Sequence, residues 1–157
     1  MQLFLDCDGV LADFDTYASS LMGGLNPREF ERQKGAKEFW KTIYSTPNFF
    51  TNLPPMPDAH ELVDAVKHLH PIILTGVPHG DWAQPQKEAW RDIHFPDLPM
   101  ICCLSRDKFM HQVAGKHNII VDDWPQHKSV WEDAGGTFIV HTSAKESIAR
   151  LTEMGVL

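Results

Sequence analysis

Clustered lysine and arginine are missing from this sequence: 14 basic residues are scattered among 21 acidic ones, for a formal charge of −7. A broad nucleic-acid-binding surface needs grouped cations that displace counterions from a phosphate backbone, so the composition argues against a polymeric nucleic acid as partner. A small anionic ligand remains compatible, because a bound divalent cation and one or two lysines reverse the field locally. Long apolar runs are missing too. Nothing approaches the ~20 residues that a membrane-spanning helix requires, and the opening MQLFLDCDGV carries neither a basic leader nor a small-residue cleavage pattern. The expectation is a cytoplasmic protein with no membrane partner. Cysteine is scarce: Cys7, Cys102 and Cys103 form an odd set without CxxC spacing. That suits a reducing compartment and reads as buried strand residues rather than a redox or metal framework. Internal repeats and low-complexity tracts are absent.

What is present is ordinary globular composition, 43% hydrophobic and 22% charged over 157 residues. Such a length suits a single domain, 1–157, burying roughly two thirds of its unfolded surface. Five short apolar runs punctuate it: Gln2 to Asp6, Pro71 to Thr75, Met100 to Leu104, Asn118 to Asp122, and Thr137 to His141. They are continuous rather than alternating, the pattern of strands buried on both faces in a parallel sheet.

Helical signals separate these runs. From Asp58 to His70, residues Ala59, Leu62, Val63, Val66 and Leu69 recur at helical spacing, with Asp58 and Glu61 as a capping pair. His68 and His70 then fall near a helix end, where interaction with the terminus accounts for them better than a metal site. A second helix is expected from about Pro85, carrying Lys87, Ala89, Trp90 and Ile93, and a third after Ser105. A fourth runs from Pro125 to Gly135 and a fifth from Ser143, with Glu146 three residues on, to Gly155. Alternating strand and helix predicts an α/β, Rossmann-like doubly wound parallel sheet. The stretch 16–57 breaks the rhythm. It exceeds one crossover, is dense in Phe30, Phe39, Trp40, Tyr44, Phe49 and Phe50, and reads as a small helical cap inserted after the first strand.

Chemistry concentrates at run ends. In LFLDCDGVLADF a strand delivers Asp6 and Asp8, two positions apart and before Gly9, which lets the chain turn sharply. A second acidic pair, Asp122 and Asp123, closes the fourth run. If that strand lies beside the first, both pairs converge at the carboxyl edge of the sheet. So many carboxylates repel unless a cation sits among them, and hard oxygen donors suit Mg²⁺. The expected metal ligands are Asp6, Asp8 and Asp122, with Asp123 supporting. Thr75 and Gly76 offer a hydroxyl and an amide to a phosphate, and Lys108 adds positive charge, with Lys116 the alternative. Lys87 is either a phosphate contact or a surface charge.

Asp6-Cys7-Asp8-Gly9, Thr75, Lys108 and Asp122-Asp123, in that order, resemble the four motifs of the haloacid dehalogenase superfamily. DGVLADF, NFFTNLPPMPDAHELVDAVK and SRDK further resemble its 5′(3′)-deoxyribonucleotidase branch. The resemblance implies strand order 5-4-1-2-3, Asp6 as nucleophile, Asp8 as general acid and base, and Mg²⁺ held partly by Asp122. It also implies that Lys87 helps bind phosphate and that Phe14, Trp40 and Phe49 line a nucleobase pocket, although such cap aromatics also suit simple packing. Gly76 stands where that branch commonly has serine, and Trp124 where arginine often follows the acidic pair. The implied activity is Mg²⁺-dependent hydrolysis of a nucleoside or deoxynucleoside monophosphate, by a monomer or homodimer. Two alternatives stand beside it: a phosphatase or phosphomutase for sugar phosphates, and a receiver-like phosphoacceptor regulator.

Overall fold

The computed structural model describes residues 1–157. Five strands form: β1 (Gln2–Leu5), β2 (Ile72–Gly76), β3 (Met100–Cys103), β4 (Asn118–Asp122) and β5 (Thr137–Val140). Every neighbouring pair is parallel, in the order β3-β2-β1-β4-β5, which is the expected order read from the opposite edge. The strands read as unbroken apolar runs because the sheet is covered on both sides. Leu3, Leu5, Ile73, Ile119, Val121 and Ile139 face the larger core, while Phe4, Leu74, Ile120 and Phe138 join Trp131 on the opposite face. Alternation is therefore present, but it divides one core from another rather than core from solvent.

After β1 the chain forms α1 (Phe14–Leu21), α2 (Pro27–Lys34) and α3 (Ala36–Ser45), which with α4 (Ala59–Val66) precede β2. The rest follow as α5 (Ala83–His94), α6 (Lys128–Asp133) and α7 (Ala144–Glu153). No helix is long and apolar enough to cross a membrane. All three cysteines are free thiols, with Cys7 buried and the other two half-buried.

Several local expectations are revised. Asp58 does not cap its own helix: its Oδ2 accepts the Ala144 N–H at 2.7 Å, at the start of α7. Ser143 caps α7 as expected, accepting from the Glu146 N–H at 3.2 Å. Asp58 thus ties α4 to α7, and Asp58→Ala is expected to lower stability by about 1 kcal/mol in urea denaturation. α5 starts before Pro85, placing that proline at the third helical position, where its missing N–H removes no helical bond. Its buried face is Ala83, Lys87 and Trp90, whereas Ile93 is exposed. The segment Ser105–His111 is a 3₁₀ helix rather than an α-helix.

Register decides where the chemistry falls. Leu5 stands beside Ile73 on one side and Val121 on the other, so β1, β2 and β4 end at the same edge. The buried Asn118 secures the entry to β4, its carbonyl oxygen accepting from the Val113 N–H and its amide donating to the Val113 and Lys116 carbonyls. Those three bonds satisfy a turn that would otherwise bury unpaired backbone groups.

Candidate active site

At that edge three carboxylates meet. One oxygen from each of Asp6, Asp122 and Asp123 lies within 4.8 Å of the others. Asp6 follows β1 directly, its N–H donating to the Val121 carbonyl at 2.9 Å, which extends the β1–β4 pairing by one residue. Asp122 ends β4 with no exposed surface, and its Oδ1 accepts the Trp124 N–H at 2.8 Å. That bond bends the chain after the strand, so Asp123 turns back towards Asp6 instead of pointing to the opposite face. Gly9 makes room for it: at φ +79°, a Cβ there would collide with the Asp123 carboxylate.

Lys108 reaches the cluster from the 3₁₀ segment after β3, with Nζ 2.9 Å from Asp6 Oδ1 and 2.7 Å from Asp122 Oδ2. Burial opposes its charge, but Asp6 and Asp122 outweigh burial and raise its pKa. Lys116 is exposed and plays no such part. One ammonium does not neutralise three carboxylates. Burial, and next the charge of Asp6, pushes Asp122 up to about 6. Asp123 is pushed up to about 7 by burial and then by Asp6 and Asp122. An oxygen-only cluster left with excess negative charge fits a hard divalent cation.

Asp8 stands outside this cluster. Cys7 C=O accepts the N–H groups of Leu11 and Ala12, so the chain turns after Asp6 and strand alternation ends there. The Asp8 carboxylate pairs with Lys87 Nζ at 2.5 Å, and its Oδ1 is buried without a partner. Burial raises the Asp8 pKa, with Lys87 opposing.

Lys87 is neither a surface charge nor a lining residue of the cavity. It sits on the buried face of α5, 1% exposed, bonded to Asp8 and, at 3.0 Å, to Thr75 Oγ1, with its ammonium 4.6 Å from the Phe50 ring centroid. Thr75 is fully buried, and Gly76 reaches the cavity. The place that a side chain at Gly76 would take is filled by the Ser105 hydroxyl. Ser105 thus brings a hydroxyl to the position where Gly76 has none.

Asp6, Asp8, Gly76, Ser105, Lys108 and Asp123 floor a cavity of about 340 Å³. Phe14, Phe39, Trp40 and Phe50 wall it, with Arg28 and His127 also lining it. Phe49 does not line it: fully buried, it packs edge-on against Phe14 at 5.4 Å and Phe50 at 5.1 Å. Phe50 takes the wall position because its N–H donates to Gln86 Oε1 at 3.0 Å, anchoring the turn to α5. Arg28 had no sequence signal. It lies on α2, its guanidinium 3.8 Å from the Trp124 ring centroid, bringing a cation to the rim where Trp124 follows the acidic pair. His127 has a buried Nδ1 without a partner, and burial, then Lys108, lowers its pKa.

The five-stranded parallel sheet in this order, with an aspartate just past the central strand and acidic residues ending its neighbour, is the arrangement expected of the haloacid dehalogenase fold. The sequence profile of the 5′ nucleotidase, deoxy (pyrimidine), cytosolic type C proteins matches residues 1–146. The chain belongs to that family, and is therefore a phosphatase of the haloacid dehalogenase type. No curated protein sequence matches it.

Solved structures agree on the fold. An L-2-haloacid dehalogenase from Xanthobacter autotrophicus, with chloropropionic acid covalently bound, superposes with a TM-score of 0.55 at 12% identity, over 99% of this chain and 84% of that one. A haloacid dehalogenase family hydrolase from Deinococcus radiodurans R1, holding phosphate and sodium, gives 0.54 at 13% identity over 99% and 96%. A hydrolase from Streptococcus pneumoniae TIGR4 gives 0.53 at 12% identity over 99% and 98%.

Proposed function

We propose that the protein hydrolyses a nucleoside or deoxynucleoside monophosphate, using Mg²⁺ and an aspartyl-phosphate intermediate on Asp6. The observation that carries this reading is a carboxylate cluster with its lysine opening directly onto an aromatic-walled cavity, a floor suited to phosphate beneath walls suited to a base.

Asp6, Asp122 and Asp123 would hold the cation, which would supply the positive charge that lets an anionic carboxylate approach an anionic ester. Asp6 forms a bond to phosphorus as the ester P–O bond breaks, and Asp8 gives its proton to the departing alkoxide. Its raised pKa and its unpartnered Oδ1 support that role. Water then attacks the phosphorus of the aspartyl phosphate, Asp8 takes the proton, and phosphate leaves Asp6 as a free carboxylate. Lys108 and the Ser105 hydroxyl hold phosphate oxygens, and the Gly76 backbone faces them. Lys87 acts one step removed, fixing Asp8 and Thr75. Residues 16–57 form a cap within one domain, with Phe14 and Trp40 set against the base.

A panel of nucleoside, deoxynucleoside and sugar monophosphates, assayed with Mg²⁺ and with EDTA, tests this. Nucleotides are expected to turn over fastest and EDTA to abolish turnover. Sugar phosphates turned over faster than every nucleotide would reverse the reading.

A further inference from the structure

Beside the aromatic-walled cavity, and sharing Trp40 and Ser105 with it, lies a second open groove of about 640 Å³. One wall is a single face of α3. Lys37, Trp40, Lys41 and Tyr44 follow at the three- and four-residue spacing that stacks side chains on one side of a helix. The opposite face of α3 carries the buried Phe39 and Ile43. Trp82 packs edge-on against Tyr44, ring centroids 5.3 Å apart, and Arg106 also lines the groove.

Two features set this surface apart from packing. Tyr44 is 65% exposed and Trp40 38%, so their rings are presented rather than buried. No carboxylate lines the groove, although acidic residues outnumber basic ones 21 to 14 in the chain. The cations are free to meet a ligand. Lys37 has no carboxylate within bonding distance, and Lys41 and Arg106 approach Glu38 and Asp107 only at 3.7 and 3.8 Å, in exposed pairs that hold weakly.

Aromatic faces beside cations, with no acidic residue, match one repeating unit of a single-stranded nucleic acid: a flat base and a phosphodiester. We infer that this groove is a second-nucleotide subsite, and that the enzyme also takes the terminal phosphate from a short oligonucleotide. The terminal phosphate lies over Asp6 and the first base in the catalytic cavity. The linking phosphodiester meets Lys37, Lys41 and Arg106, and the second base stacks on the exposed Tyr44 ring. The bond broken is the same phosphomonoester, with water as the acceptor. The inference rests on the nucleotidase reading, and the negative charge elsewhere on the chain restricts it to short ligands.

The test has two arms. In the first, wild-type enzyme with Mg²⁺ is given deoxydinucleotides carrying a terminal 5′- or 3′-phosphate, each against the matching mononucleotide. In the second, Asp6→Asn protein, unable to form the phosphoenzyme, is titrated with the same four compounds by calorimetry. The dinucleotide is expected to show a kcat/KM and an affinity about tenfold above the mononucleotide's. Tyr44→Ala and Lys37→Glu should each remove most of that advantage while leaving the mononucleotide within about twofold. Equal affinity for both lengths in the second arm, or variants that weaken both lengths alike, overturns the subsite. Failure of the wild type to hydrolyse any mononucleotide sinks the nucleotidase reading instead, and the binding arm still decides the groove.

Discussion

Replacing Asp6 with asparagine is expected to leave a folded protein whose phosphatase turnover is reduced by ~10³-fold or more. The amide has the shape of the carboxylate, and Asp6 accepts the Cys7 N–H at 2.7 Å and Lys108 Nζ at 2.9 Å through the same oxygen, so an asparagine carbonyl can keep both. The loss is then one of nucleophilicity rather than of structure. The measurement is steady-state hydrolysis of the best monophosphate found, alongside thermal denaturation. Near wild-type turnover in a folded Asp6→Asn protein would remove the nucleophile from Asp6. A second readout sharpens the result: wild-type enzyme quenched in acid during turnover should carry phosphate that hydroxylamine releases, as from a carboxyl group, and the variant none.

How much of this site could be read in advance depended on how far strand geometry extends. Asp6 and Asp122 follow from their runs because each stands at the end of a strand, and parallel register puts both at one edge. Asp8 and Asp123 do not follow, because both lie past the point where the strand stops. Beyond a strand end, a carboxylate's direction is set by the turn. The turn after Asp6 sends Asp8 to Lys87, and the bend at Trp124 returns Asp123 to the cluster.

The aromatics illustrate the same limit. Phe49 and Phe50 are neighbours in a turn, and nothing in their order says which reaches the cavity. The bond from the Phe50 amide to Gln86, 36 positions away, decides it. Lys87 was ambiguous because a lysine on a helix is ordinarily solvated. Its helix positions, shared with Ala83 and Trp90, place it on the buried face, and only the partners Asp8 and Thr75 make that burial tolerable. The sheet was far easier to read, since five apolar runs buried on both faces leave few arrangements.

The largest effect on stability is expected from the divalent cation, and it should grow with pH. Without metal, burial and then the neighbouring carboxylates push Asp122 up to about 6 and Asp123 up to about 7, both above the ordinary carboxylate value. A carboxylate whose folded pKa is raised holds its proton more tightly in the folded state, so its ionisation opposes folding. That destabilisation is absent below the unfolded pKa, near 4, accumulates as pH rises, and is complete above about 7. A cation bound among the carboxylates removes it, and must displace their protons to bind at low pH. The Mg²⁺-induced rise in Tm is therefore predicted to be larger at pH 8 than at pH 5.5. At about a hundred times the dissociation constant it amounts to roughly 2.7 kcal/mol, or about 5–10 °C for a chain of this size. Because His127 and His141 have lowered pKa values and act in the opposite direction, the informative quantity is the difference between Mg²⁺ and EDTA at each pH. Asp123→Asn isolates the carboxylate term: in EDTA it should be more stable than wild type at pH 8, by on the order of 1–2 kcal/mol after solvent screening, and no more stable at pH 4. A Mg²⁺ shift equal at both pH values, together with an Asp123→Asn protein less stable than wild type at pH 8 in EDTA, would mean that these carboxylates do not share a site.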